Sequence, residues 1–160
     1  MVDLKKPFLD MYFRYVQGRA NRRSDKVRQL QQESGRTDMQ VIRIIVYNDD
    51  VRASRAQQSA YMRTFRVRDG VLEYLDDRER PDAVILSDFP TIYGIANGRY
   101  VQVFPDGTRK VHENFGAFDA LRLGKMECEG DQSVLSNLYL FERRVAPEIL
   151  KEIRLPPPAR

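Results

Sequence analysis

The chain has 160 residues, 42% hydrophobic and 31% charged, the size and balance of one folded domain whose core needs no disulfide or metal to form. With one cysteine, Cys128, and one histidine, His112, an internal disulfide, a cysteine-based zinc site and a multi-histidine metal site are all excluded within the chain. The net charge of +4 is concentrated: residues 1–36 hold nine Lys/Arg against four acids, a balance of +5, and the remainder sums to −1.

No apolar run approaches the ~18 residues of a membrane span, and the opening MVDLKKPFLDMYFRYVQG has no secretory core. The expected location is cytoplasmic. Three segments are expected: a basic amphipathic helical segment over 1–36, an α+β body over 37–150, and a Pro-rich tail over 151–160.

Over residues 7–33, Leu9, Phe13, Val16, Ala20, Val27 and Leu30 recur at spacings of three or four, with a gap at Arg23. This predicts an amphipathic helix broken near Ser24, where Ser24-Asp25 can cap a second helix that Ser34-Gly35 stops. Phe8, Met11, Tyr12 and Tyr15 widen the apolar face of the first half. The β-branched run Val41 to Tyr47 then predicts a strand with a fully buried face, stopped by Asn48-Asp49-Asp50. Residues 60–75 read as a hairpin: Phe65 and Val67 alternate with Arg66 and Arg68, Asp69-Gly70 turns, and Val71 to Leu75 returns. Ala83 to Leu86 is the expected neighbour of that hairpin, in an antiparallel sheet of three or four strands.

Ser87 or Asp88, with Pro90 in the first turn, opens a short helix carrying Ile92, Ile95 and Ala96 and ending at Asn97-Gly98. Arg99 to Phe104 and Thr108 to His112 flank Pro105-Asp106-Gly107, a second hairpin. Phe115 to Leu123 forms a short helix ending at Gly124, Met126 to Glu129 an alternating strand, and Ser133 to Leu150 a last apolar helix. The fold class is α+β, with N-terminal and C-terminal helices flanking a mainly antiparallel sheet.

The stretch Arg122 to Leu135 resembles the signature of the sterol carrier protein 2 (SCP2-like) family through Gly124, Lys125, Met126, Gly130 and Asp131. Upstream, Val67 to Leu72 is similar to the family's central hairpin. Pro81 to Ile85, with the helix that follows and Gly98, is similar to its edge strand and pocket-covering helix. The resemblance spans roughly residues 38–142 and departs at Tyr100 to Asn114, where this chain inserts a hairpin.

The resemblance implies non-enzymatic binding or carrying of a hydrophobic small molecule of lipid, sterol or isoprenoid type, with no cofactor. Candidate cavity residues are Phe89, Ile92, Ile95, Leu121, Leu123, Met126, Leu135, Leu138, Tyr139 and Phe141; apolar helix faces are equally the substance of an ordinary core. The alternative is an interaction or scaffold protein that keeps the fold without a pocket and uses the inserted hairpin as a contact surface.

Catalytic patterns are weak. Glu127 and Glu129 share one side of a strand, as paired carboxylates must, but alternating charge is also a solvent face. His112 and Cys128 have no spacing that joins them, and no phosphate-binding glycine loop occurs. The cations Arg14, Arg19, Arg22, Arg23, Lys26 and Arg28 form a candidate contact for anionic surfaces, such as an anionic membrane that would suit a lipid carrier; a partner enzyme that consumes the ligand is a separate candidate partner. Phe13 and Tyr15 beside them raise nucleic-acid binding as a third reading, for which a solvated helix face is the competing explanation.

Overall fold

The computed structural model describes residues 5–33, 41–48 and 61–135. The apolar N-terminal stripe forms α1 (Lys5–Arg22), and the break falls at Arg23, before α2 (Ser24–Glu33). Ser24 is the first residue of α2, not its cap. The Arg23 carbonyl accepts from the Val27 N–H at 3.0 Å, while the Arg23 N–H donates to the Ala20 carbonyl, so one residue closes one helix and opens the next.

The strands are β1 (Ile42–Tyr47), β2 (Tyr61–Arg68), β3 (Val71–Leu75), β4 (Ala83–Asp88) and β7 (Met126–Gly130), forming one sheet in the order β3-β2-β1-β4-β7. A separate two-stranded sheet consists of β5 (Arg99–Val103) and β6 (Arg109–Glu113). Two short helices complete the described chain, α3 (Phe89–Asn97) and α4 (Ala117–Arg122). β1 occupies the middle of the large sheet. It runs antiparallel to β2 and parallel to β4, so Ala83 to Leu86 does not adjoin the 61–75 hairpin as the sequence led one to expect. The β-branched residues of β1 are what a central strand requires, since both its edges and both its faces meet other atoms.

One face of the large sheet carries the main core. Ile42, Ile44 and Val46 of β1, Ile85 of β4 and Met126 of β7 pack there with Leu9, Tyr12 and Phe13 of α1 and with Ile92, Ile95 and Ala96 of α3. On the opposite face, Tyr47 and Leu86 are buried with Ile45 and Val84 against them.

Glycine and asparagine settle how the edges are finished. Asp69 (φ 50°) and Gly70 (φ 79°) make the turn between β2 and β3, and a Cβ at Gly70 would lie 2.0 Å from the Ser24 carbonyl oxygen, so α2 rests directly on that turn. Arg28 and Gln31 of α2 bond the same turn: Arg28 Nε donates to the Asp69 carbonyl, and the Gly70 N–H donates to Gln31 Oε1 at 2.9 Å. Along the open edge of β3, Asn21 behaves as a one-residue strand neighbour. Its Oδ1 accepts from the Leu72 N–H at 2.8 Å and its Nδ2 donates to the Leu72 carbonyl at 3.1 Å, which covers backbone groups that would otherwise template pairing.

Candidate ligand-binding core

The Gly-Lys…Gly-Asp stretch acts through backbone geometry. Gly124 (φ 69°) ends α4, with its N–H donating to the Leu121 carbonyl and that of Lys125 to the Ala120 carbonyl. The Lys125 carbonyl then accepts from the buried Ser87 hydroxyl at 2.9 Å, which ties the start of β7 to the end of β4. Gly130 (φ 86°) closes β7 so near β4 that a Cβ would lie 2.5 Å from the Asp82 carbonyl oxygen, and the Asp131 N–H donates to that same oxygen. Asp131 Oδ1 accepts from the Ser133 N–H at 3.0 Å, two residues before the described chain ends at Leu135, and the rest of the helix expected over Ser133 to Leu150 lies outside the described residues. Gly124, Lys125, Gly130 and Asp131 thus join α4 to β7 and fasten β7 to β4 at both of its ends.

Across that face lies α3. Asp88 caps it by accepting from the Thr91 N–H at 2.8 Å, Pro90 stands in its first turn, and Gly98 (φ 68°) ends it. Thr91, Ile92, Ile95 and Ala96 are buried along one stripe. The Thr91 hydroxyl is fully enclosed and has no hydrogen-bond partner among the described residues. Aromatic side chains from α1 and α3 meet at one end: Phe8 packs edge-on to Phe89 with centroids 5.7 Å apart and tilted against Tyr93 at 5.2 Å. The β5–β6 hairpin presses Tyr100 onto α3, since a Cβ at Gly94 would come within 3.0 Å of the ring, and stacks the same ring on the buried Phe115 at 4.7 Å.

Of the cavity candidates, Ile92, Ile95 and Met126 are buried in this core, and Phe89, Leu121 and Leu123 pack against it. Leu135, the last of the described residues, is half-buried. Leu138, Tyr139 and Phe141 lie outside the described residues.

A polar cluster that periodicity could not reveal sits at the α1 side of the same face. Tyr61 donates its hydroxyl to Asp10 Oδ1 at 2.8 Å, and Arg63 donates from Nε to the Tyr61 oxygen and from Nη2 to Asp10 Oδ1 at 2.7 Å. The guanidinium lies over the Tyr61 and Tyr74 rings, 5.6 and 5.4 Å from their centroids, and Tyr74 donates to the Phe13 carbonyl. The Tyr61 hydrogen bond, aided by the Arg63 charge, holds the Asp10 carboxyl below its ordinary range. Burial first, and the bond to Asp10 second, push Tyr61 up to about 12; burial alone does the same for Tyr12. Burial likewise raises Tyr74. The only advance signal for this cluster was an arginine on the inward side of an alternating strand.

Other candidate chemistry stays apart. Cys128 belongs to the five-stranded sheet and His112 to the small one, and burial, followed by the nearby Asp131 and Glu129, raises the Cys128 thiol, the wrong direction for a nucleophile. His112 is half-buried, 3.0 Å from Gln102 Oε1 and beside Tyr100 and Phe115. Glu127 and Glu129 face the side of the sheet away from the main core, opposite Leu86 and Val84. No group of His, Cys, Asp and Glu able to hold a metal occurs among the described residues.

The basic segment is divided between two helices. Arg14 and Arg22 are exposed on α1, Lys26 and Arg28 on α2, and Arg19 and Arg23 are partly covered. Arg28 is engaged with the β2–β3 turn. Among the described residues no helix is long and apolar enough to cross a membrane.

No protein-family model matches the chain. No curated protein matches it in sequence either. Solved structures do. A conserved hypothetical protein from Thermus thermophilus, described as a candidate sterol carrier protein, superposes with a TM-score of 0.52 at 15% identity, covering 89% of this chain and 88% of that one. A crystal structure of sterol carrier protein 2 gives a TM-score of 0.52 at 15% identity, covering 90% of this chain and 94% of that one. With the mixed five-stranded sheet, the helices on its inner face and the glycine-bounded β7, these superpositions show that the chain is built on the sterol carrier protein 2 fold.

Proposed function

We propose that the protein binds or carries a hydrophobic small molecule of lipid, sterol or isoprenoid type between the inner sheet face and the helices that cover it, without catalysis. The observation that carries this reading is the end-to-end superposition on a sterol carrier protein 2 structure and on a protein described as a candidate sterol carrier, over about nine-tenths of each chain. The chemistry of the face supports it. Ile92, Ile95, Leu121, Leu123 and Met126 offer apolar area that removes ligand surface from water at about 25 cal/mol per Å². Thr91 adds one enclosed hydroxyl, suited to the single polar end of such a ligand. Leu135, Leu138, Tyr139 and Phe141 remain candidates for the same lining. The exposed cations Arg14, Arg22 and Lys26 would bring the carrier to an anionic membrane, and a cytoplasmic location goes with this reading.

Native mass spectrometry after incubation with fatty acids, sterols and quinones tests it. A one-to-one adduct is the expected result, and its absence with every class would overturn the carrier reading. The second reading, an interaction or scaffold protein on the same fold, is favoured by the way α1 fills the face: Phe13 stacks on Tyr61 at 5.8 Å and Asp10 closes on Arg63.

A further inference from the structure

The β5–β6 hairpin is turned inside out relative to the usual amphipathic ribbon. Its register pairs Arg99 with Glu113, Val101 with Val111 and Val103 with Arg109 on one face, and Tyr100 with His112 and Gln102 with Lys110 on the other. The face toward the body holds the hydrogen-bonded Gln102–His112 pair beside Tyr100. The valines point outward. Val101, Val103 and Val111 are 39%, 61% and 42% exposed, and Phe104 at the end of β5 is 38% exposed. A ribbon with one solvated face normally reverses this arrangement.

Charge around the valines is also patterned. At the base, Arg99 and Glu113 neutralise each other at 3.4 Å. Toward the tip stand Arg109 and Lys110, neither of which has an ion-pair partner among the described residues. The tip acid, Asp106, is occupied by the Thr108 N–H and hydroxyl at 2.9 and 2.6 Å, which hold its carboxyl below the ordinary range and keep it charged. The distal half therefore combines exposed aliphatic surface with a net positive charge.

We propose that this outer hairpin face docks on an anionic lipid bilayer, so that Val101, Val103 and Val111 enter the headgroup boundary while Arg109 on the same face and the exposed Lys110 at the distal end reach lipid phosphates. A bilayer fits better than a protein partner on size. Stable protein interfaces take about 20–30 residues a side, far more than this small ribbon presents, whereas partition into a bilayer accumulates from each apolar side chain and each cation separately. The Tyr100–Phe115 stack and the closeness of Tyr100 to Gly94 hold the ribbon against the body, so docking would set the orientation of the whole protein on the surface. The inference stands whether or not the core carries a ligand.

The test uses the full chain and phosphatidylcholine vesicles with and without phosphatidylglycerol. Because the chain contains no tryptophan, Val103→Trp introduces a single reporter in the proposed contact. A blue shift of its emission with anionic vesicles, reversed by high salt, is expected; no shift would overturn the proposal. Co-sedimentation of the doubly substituted Arg109→Gln/Lys110→Gln protein should show affinity lowered by roughly thirtyfold, from about 1 kcal/mol per cation. Val103→Asp should also weaken binding, and circular dichroism confirms that both variants fold. Vesicle binding unchanged by the hairpin variants but abolished by Arg14→Gln/Arg22→Gln would overturn the proposal in favour of the N-terminal helix. A lipid-free dimer dissolved by Val103→Asp would overturn it in favour of a contact between copies.

Discussion

Asp10, Tyr61, Arg63 and Tyr74 illustrate how much a fold decides at the level of single side chains. Asp10 lies on a helix and Tyr61 fifty-one positions later on a strand, and no spacing in the sequence connects them. Once joined, they place a partly buried charge pair on an otherwise apolar face, with side chains 37% and 32% exposed. Such a pair is worth little as a surface ion pair, and the shared hydrogen bonds are the more dependable contribution. Replacing Tyr61 with Phe removes the hydroxyl that bridges Arg63 and Asp10, and urea denaturation should show a loss of about 1 kcal/mol.

The same cluster carries a pH dependence at both ends. Tyr61 and Tyr12 ionise near 10.0 when unfolded and at about 12 when folded, so the native state favours their protonated forms. Their contribution is complete below pH 10 and disappears as the pH rises toward 12. Denaturation midpoints should fall above pH 10, and the tyrosinate absorbance that Tyr61→Phe removes should appear only as the pH approaches 12. The Asp10 carboxyl works in the opposite sense: its stabilisation is present above 3.8 and is lost as the pH falls below that value.

Among the elements, the turns were the most legible. Asp69-Gly70, Pro105-Asp106-Gly107, Asn97-Gly98 and Gly124 all turn or terminate the chain where their chemistry requires, because glycine at positive φ is a local necessity. What surrounds each turn was not legible. Gly70 and Gly107 have similar positive φ values of 79° and 85°, yet Gly70 is pressed against the backbone of α2 while a Cβ at Gly107 meets nothing within 4 Å. Gly107→Ala should therefore cost only the left-handed conformation, about 1 kcal/mol, and Gly70→Ala several times as much, with both read from thermal and urea unfolding. Asn21→Ala should lower stability by about 1–2 kcal/mol and increase aggregation, since it bares the Leu72 N–H on the β3 edge and leaves the Leu72 carbonyl only the 3.4 Å bond from Gln17 Nε2. The position of β4 beside β1 also escaped the sequence, because alternation tells which face a residue takes and says nothing about which strand lies next to it.

For the whole molecule, the inner face built by α1, α3, α4 and the sheet is the surface on which the carrier reading stands or fails. A ligand that binds only the folded protein at a hundred times its Kd would add about 2.7 kcal/mol, and for a domain of this size that raises the Tm by about 5–10 °C. Thermal scans with saturating fatty acid, sterol or quinone should show such a rise for one class. A flat response to all of them would favour the interaction-protein reading, in which the aromatic side chains of α1 already occupy the space.

By itself the sequence determined the α+β class, the break between the first two helices, both hairpins and the glycine-bounded helix–strand unit from Ala117 to Gly130, because each depends on residue period and turn chemistry within a few positions. Only the tertiary structure decided the strand order, the closure of the β3 edge by Asn21, the Asp10–Arg63 cluster and the outward orientation of the β5–β6 valines. Those features depend on which distant surfaces pack together, and the energy that chooses among them is spread over the whole core rather than held in any local stretch of chain.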